Sequence, residues 1–214
     1  MELSELLKNL SIIIGALALI SGIRAWKREY IGKRKVELAE DTLMLFYQAR
    51  DAIRDIRNPF GRIGEGSSRK ISDNETEAET KLLNQAYVVT ERYSKHEDIF
   101  NKLQSTRYRF MARFGRENEI PFIELNKVLN EIFMAAHMLG TYYWQRQHWV
   151  QMGGDEFKKH LDEMHKYEAI FWFMGEEKDE IGPRVEKIIN QIEKVTQDTL
   201  SEKDFWHRNI FGKG

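Results

Sequence analysis

His160, Glu163 and His165 are the side chains in this chain with most claim on metal chemistry. Glu156, His160 and Glu163 share one helical face, and Asp162 with His165 has the spacing of the Glu-x-x-His element that builds metal centres inside helical bundles. A carboxylate-bridged pair of metals needs that element twice, with more carboxylates facing inward. Glu131 and His137 stand six apart and do not supply the second copy, and Asp162 has a shorter reach than Glu. The default reading is ordinary surface His and Glu, with no metal and no cofactor. The competing reading keeps His160, Glu163 and His165 as ligands in a metal-dependent enzyme of the bundle core.

Other patterns carry less chemistry. Gly61–Ser68, GRIGEGSS, has the end glycines of a phosphate-binding loop but lacks the Lys-Ser/Thr pair that follows one, and no strand feeds it. Arg69 stands where a dinucleotide fingerprint would need its third glycine. No Gly-x-Ser-x-Gly elbow supports Ser–His–Asp hydrolysis. Tyr142, Tyr143, Trp144, Trp149, Phe157, Tyr167, Phe171, Trp172 and Phe173, with Arg146 and His148 between them, could stack bases. Packing at the helix ends explains them more simply, because no groove of net positive charge accompanies them. Arg107, Arg109, Arg113 and Arg116 suit a helix C-terminus, where cations oppose the dipole.

The elements that would hold such groups are helices, and one differs from the rest. Leu10–Ile23, LSIIIGALALISGI, is uncharged and apolar, and Arg24, Lys27, Arg28, Lys33, Arg34 and Lys35 follow at once. The pattern predicts a single membrane-spanning helix whose C-terminal side stays in the cytoplasm, since basic residues resist translocation. Fourteen residues reach only about 21 Å against a hydrocarbon core of about 30 Å. Leu3, Leu6 and Leu7 make up the length, with Glu5 and Lys8 snorkelling to headgroups. Trp26 and Tyr30 fall at the interface. A cleaved signal peptide fits less well, because Glu2 and Glu5 occupy its basic region and GIRAW offers no small-x-small site. Ser11, Gly15, Ala18 and Gly22 recur at steps of four, three and four, a smooth stripe suited to close helix packing on another copy or another membrane protein.

Composition bounds the remainder. A formal net charge of −1 argues against a general nucleic-acid binder, and the absence of cysteine removes disulfide and thiolate chemistry. The fold class expected is all-α: one transmembrane helix followed by an antiparallel cytoplasmic bundle. The segments expected are 1–24 as anchor, 25–57 as a long juxtamembrane helix, 58–74 as a flexible loop, 75–200 as the bundle and 201–214 as a tail carrying Phe205, Trp206 and Phe211. In the juxtamembrane helix, Ala39, Leu43, Phe46, Ala49 or Arg50, Ile53 and Ile56 make one apolar stripe, and Asn58-Pro59 ends it. Later helices are expected from an Asn74 cap to Gly115, from Pro121 towards Trp144, from an Asp155 cap to about Phe173, and onward from Gly182-Pro183.

Trp26–Phe60, with YRFMARFG at Tyr108–Gly115 and HLDEMHKYEAIFW at His160–Trp172, resembles a group of uncharacterised bacterial proteins with an N-terminal anchor and a helical cytoplasmic region. The resemblance implies a bacterial inner-membrane setting and carries no activity and no functional residue. The function expected is a non-enzymatic, membrane-tethered interaction protein or accessory subunit of an inner-membrane complex. Its partners would be the bilayer and either itself or another membrane protein, with no nucleic acid. Metal-dependent catalysis, or anionic-lipid sensing through Lys33–Lys35, are the alternatives.

Overall fold

A computed structural model of the chain describes the backbone of residues 3–146, 153–175, 177 and 179–210, and side chains within 9–146, 153–175, 177 and 179–201. Every regular element among the described residues is helical: α1 (Leu3–Ile56), α2 (Glu77–Phe114), α3 (Ile120–Met138), α4 (Gly154–Phe171) and α5 (Ile181–Ile210). A 3₁₀ turn, Arg116–Glu119, leads into α3, and a π-helical segment, Leu139–Tyr143, followed by the turn Trp144–Arg146, extends it. The chain divides into two compact units: Met1–Asp41 with Asp198–Gly214, and Thr42–Gln197.

The second unit is built on apolar stripes. In α1 the buried side chains are Thr42, Leu45, Phe46, Ala49, Ala52, Ile53 and Ile56, while Leu43 and Arg50 lie half-buried at the edge. In α5 they include Ile181, Val185, Ile188, Ile189, Ile192 and Thr196, whose hydroxyl donates to the Ile192 carbonyl at 2.8 Å. Polar side chains fix the register between these helices. The Tyr47 hydroxyl donates to Glu193 at 2.6 Å, and Arg54 reaches Glu186 at 2.9 Å. Numbers rising along α1 meet numbers falling along α5, so the pair is antiparallel. Phe110 on Phe122 and Tyr93 on Phe133, at 5.6 and 5.0 Å between ring centres, set α2 against α3 in the same sense. Phe46 meets Phe122 edge-on at 4.9 Å, joining α1 to that pair.

Helix boundaries depart from the sequence expectations where capping chemistry decides them. The N-cap of α2 is Thr76 rather than Asn74. Thr76 accepts from the Glu79 N–H at 3.2 Å, and Glu79 accepts from the Thr76 N–H at 2.8 Å, closing a capping box. Asp155 does not cap α4; Gly153 occupies that position, and Asp155 lies in the first turn, where its charge favours the dipole. Ahead of α5, Asp179 accepts from the N–H groups of Ile181 and Gly182 at 3.2 and 3.0 Å. The helix then continues through Ile210, so 201–210 are helical rather than a separate tail. No Gly or Pro interrupts the stretch from Val185 to Ile210. Phe211 and the side chains of Phe205 and Trp206 lie outside the described residues.

The π segment has a packing reason. A Cβ added at Gly140 would sit 2.6 Å from that of Ala86, so α2 and this segment approach closely only because Gly140 has no side chain. Gln145 fills part of the widened ladder by donating to the Gly140 carbonyl at 2.9 Å.

Candidate functional site

The feature that departs most from a protein packed against itself is the first half of α1. Residues 9–34 are all exposed, among them Leu10, Ile12, Ile13, Ile14, Leu17, Leu19, Ile20 and Ile23. This helix is long and apolar enough to cross a membrane, with its apolar window wholly unburied. Because α1 begins at Leu3, the stretch to Ile23 covers about 32 Å at 1.5 Å per residue, which removes the shortfall of the apolar core alone. The side chains of Leu3, Glu5, Leu6, Leu7 and Lys8 lie outside the described residues.

Gly15, Ala18 and Gly22 come together as the sequence spacing implies, lining a shallow apolar depression with Leu19, Ile23 and Trp26. Nothing lies within 4 Å of a Cβ built at Gly15 or Gly22. Ser11 belongs to the same helical stripe but does not line the depression. One turn on, Trp26 stacks on Tyr30 at 5.8 Å, and the Arg34 guanidinium sits over the Tyr30 ring at 5.5 Å while reaching Glu37 at 3.3 Å. Arg24, Lys27, Arg28 and Lys33 are exposed, and Lys35 is half-buried.

The proposed metal residues do not converge. His160 is buried with Nε2 3.2 Å from the Tyr143 carbonyl and its ring against Tyr143. Glu163 holds Lys166 at 2.6 Å on the surface, and His165 is exposed. Among the described residues no group of three or more His, Asp or Glu side chains is placed to hold a metal ion. The aromatic segment packs mostly on itself: Trp144 meets Phe171 edge-on at 5.4 Å, its indole N–H donates to Glu168, and Tyr143 meets Tyr167 at 5.1 Å. Burial raises the Tyr143 hydroxyl above its ordinary pKa. His148 and Trp149 lie outside the described residues.

Gly61–Ser68 is tied to α2 and to itself, and several of its backbone donors are committed. The Gly66 N–H goes to the Glu91 carboxylate, Ser67 N–H to the Gly64 carbonyl, and Arg62 N–H to Glu65. Gly66, at φ +85°, lies against α2, where a Cβ would overlap the Asn84 carbonyl. Two carboxylates stand where a phosphate would have to bind, which is the wrong charge for a cradle. What the loop does offer solvent is Phe60, 82% exposed, and Ile63, with no cover at all.

Arg92 anchors that loop and Arg57 anchors the end of α4, and neither could be singled out from the sequence. Arg92, 3% exposed, grips Glu65 through both oxygens at 2.8 and 2.7 Å. It also donates to the carbonyls of Asp55, Asn58 and Phe60, so the N–H groups not given to Glu65 close the C-terminus of α1 and the turn after it. The Arg92 guanidinium holds the Glu65 carboxyl down to about 2. Arg57 does the same for α4, donating to the carbonyls of Ala169, Ile170 and Trp172 and pairing with buried Asp179 at 2.8 Å. Burial lowers the Arg57 pKa, against the pull of Asp179. Their only signal in the sequence is an arginine beside a helix end, which surface arginines share. Near the other end of α2, Arg107 pairs with Glu119.

No family model matches the chain, and neither a curated protein nor a solved structure does so.

Proposed function

We propose that this chain is a membrane-tethered, non-enzymatic helical interaction protein, single-pass in the bacterial inner membrane with its helical unit in the cytoplasm. The observation that carries the reading is the fully exposed apolar stretch of α1 ending in Arg24, Lys27 and Arg28. Water is a poor solvent for so many Ile and Leu side chains on every face of one helix; hydrocarbon is a good one. The basic flank sets the orientation, leaving Thr42–Gln197 as an antiparallel cytoplasmic bundle. Tethering confines that unit to a surface and raises its effective concentration towards a membrane partner.

Two features suit recognition. The depression along Gly15, Ala18 and Gly22 admits a second helix at close backbone distance, from another copy or a membrane subunit. The pinned loop presents Phe60 and Ile63 without an entropy cost for ordering, which favours a protein partner.

Carbonate washing of native membranes tests the tether, and the protein is expected to stay in the pellet. Protease added outside spheroplasts is expected to leave the bulk of the chain intact. Release by carbonate, or digestion from outside, defeats the reading. Crosslinking of Gly15→Leu/Gly22→Leu against wild type tests the stripe; monomer-sized species in both remove self-association through it.

A further inference from the structure

We propose that the face of α1 formed by Arg24, Lys27 and Arg28 binds the phosphate headgroup of an anionic phospholipid at the end of the apolar segment. The inference rests on the membrane reading above. Steps of three and four residues put these three cations on one side of the helix, beginning one residue after Ile23. Trp26 and Tyr30 occupy another side, and Glu29 projects away from the cationic face.

Pairing separates these residues from seven of the chain's other arginines, and position at the end of the apolar run separates them from the cations of the bundle surface. Arg50, Arg54, Arg57, Arg69, Arg92, Arg107 and Arg184 each hold a carboxylate. Arg34 is engaged by Tyr30 and Glu37, and Lys35 is likewise engaged. Among the described residues, Arg24, Lys27 and Arg28 form no ion pair. The run Lys33–Lys35, which the sequence offers as the lipid contact, therefore retains only Lys33, almost directly opposite Arg24 around the helix. Three like charges within five positions need a counter-charge, and an anionic headgroup supplies one at the depth where they emerge from hydrocarbon. A zwitterionic headgroup offsets its phosphate with its own cation and does so less well.

The full-length protein can be reconstituted in phosphatidylcholine vesicles containing a fixed fraction of brominated lipid, either phosphatidylglycerol or phosphatidylcholine. Bromine quenches indole fluorescence on contact, and Trp26, on another side of the helix but within a turn along its axis, reads the composition of the lipid ring at the depth of the three cations. The difference from Trp26→Phe isolates its signal from Trp144, Trp149, Trp172 and Trp206. Quenching of Trp26 is expected to favour brominated phosphatidylglycerol by about fivefold, from the usual attraction of juxtamembrane cations to anionic lipid. Arg24→Gln/Lys27→Gln/Arg28→Gln should abolish the preference, while Arg24→Lys/Arg28→Lys and Lys33→Gln should keep it. Equal quenching by the two lipids in carbonate-resistant protein overturns this inference and leaves the tether standing. Loss of the preference in Lys33→Gln as large as in the triple variant also overturns it, because diffuse surface charge would then suffice. Protein that carbonate removes, with Trp26 quenched by neither lipid, overturns the membrane reading itself.

Discussion

The two ends of α1 are one continuous helix and obey opposite rules. From Thr42 to Ile56 the apolar residues keep to one stripe, which is buried, and charges such as Asp51 and Arg54 take the other side. From Leu10 to Ile23 apolar residues occupy every side, and every side is exposed. An amphipathic helix needs one partner surface, whereas a helix apolar all round needs an apolar surrounding. The difference teaches that the helix, as an element, is indifferent to its surroundings: side-chain distribution alone assigns one end to protein interior and leaves the other apolar and exposed on every side.

The contrast can be broken by substitution. Phe46 is fully buried, so Phe46→Ala should cost about 3–5 kcal/mol in denaturant unfolding of the detergent-solubilised full chain. A loss below about 1 kcal/mol would mean that the lower stripe is not core. Arg92→Met should cost a similar amount, about 3–5 kcal/mol, because it leaves the Glu65 carboxylate buried without its partner. Adding Glu65→Leu should recover much of that loss, and failure to recover it would assign the cost to the orphaned carbonyls of α1 instead. At the other end, Leu17→Lys places a cation at the centre of the apolar run. It should cost about 2.5–3.5 kcal/mol of insertion, read as a rise in the carbonate-extractable fraction. An unchanged fraction would contradict a hydrocarbon environment.

Smaller effects sharpen the comparison. The Glu65 carboxyl is depressed from 4.5 to about 2 by Arg92, so its folded-state pKa lies below its unfolded one. Its contribution is present in full above the unfolded value and is lost as pH falls from 4.5 towards 2. Glu65→Gln should flatten unfolding stability across that window and leave the slope above it unchanged. Least of all should be felt from Leu17→Ala, at a position 61% exposed, which is expected to move unfolding by no more than about 0.5 kcal/mol.

Legibility follows the same division. The apolar run, its basic flank and the Gly15–Ala18–Gly22 spacing are local patterns, and a helix brings them together without help from the rest of the chain. The stripe of α1 was legible for the same reason, with Leu45 and Thr42 joining the core where simple spacing favours Leu43. The loop was legible as a loop, whereas its ties to Glu91 and Arg92 were not, because they come from 25 or more residues away.

The sequence by itself determined helix as the fold class and marked Leu10–Ile23 as different in kind, since periodicity and hydropathy act over a few turns. Tertiary structure alone decided that Arg57 and Arg92 would be buried and that Gly140 would admit Ala86. Those outcomes depend on partners such as Asp179 for Arg57, more than a hundred residues distant, and the energy of burying a charge exists only once such a partner has arrived.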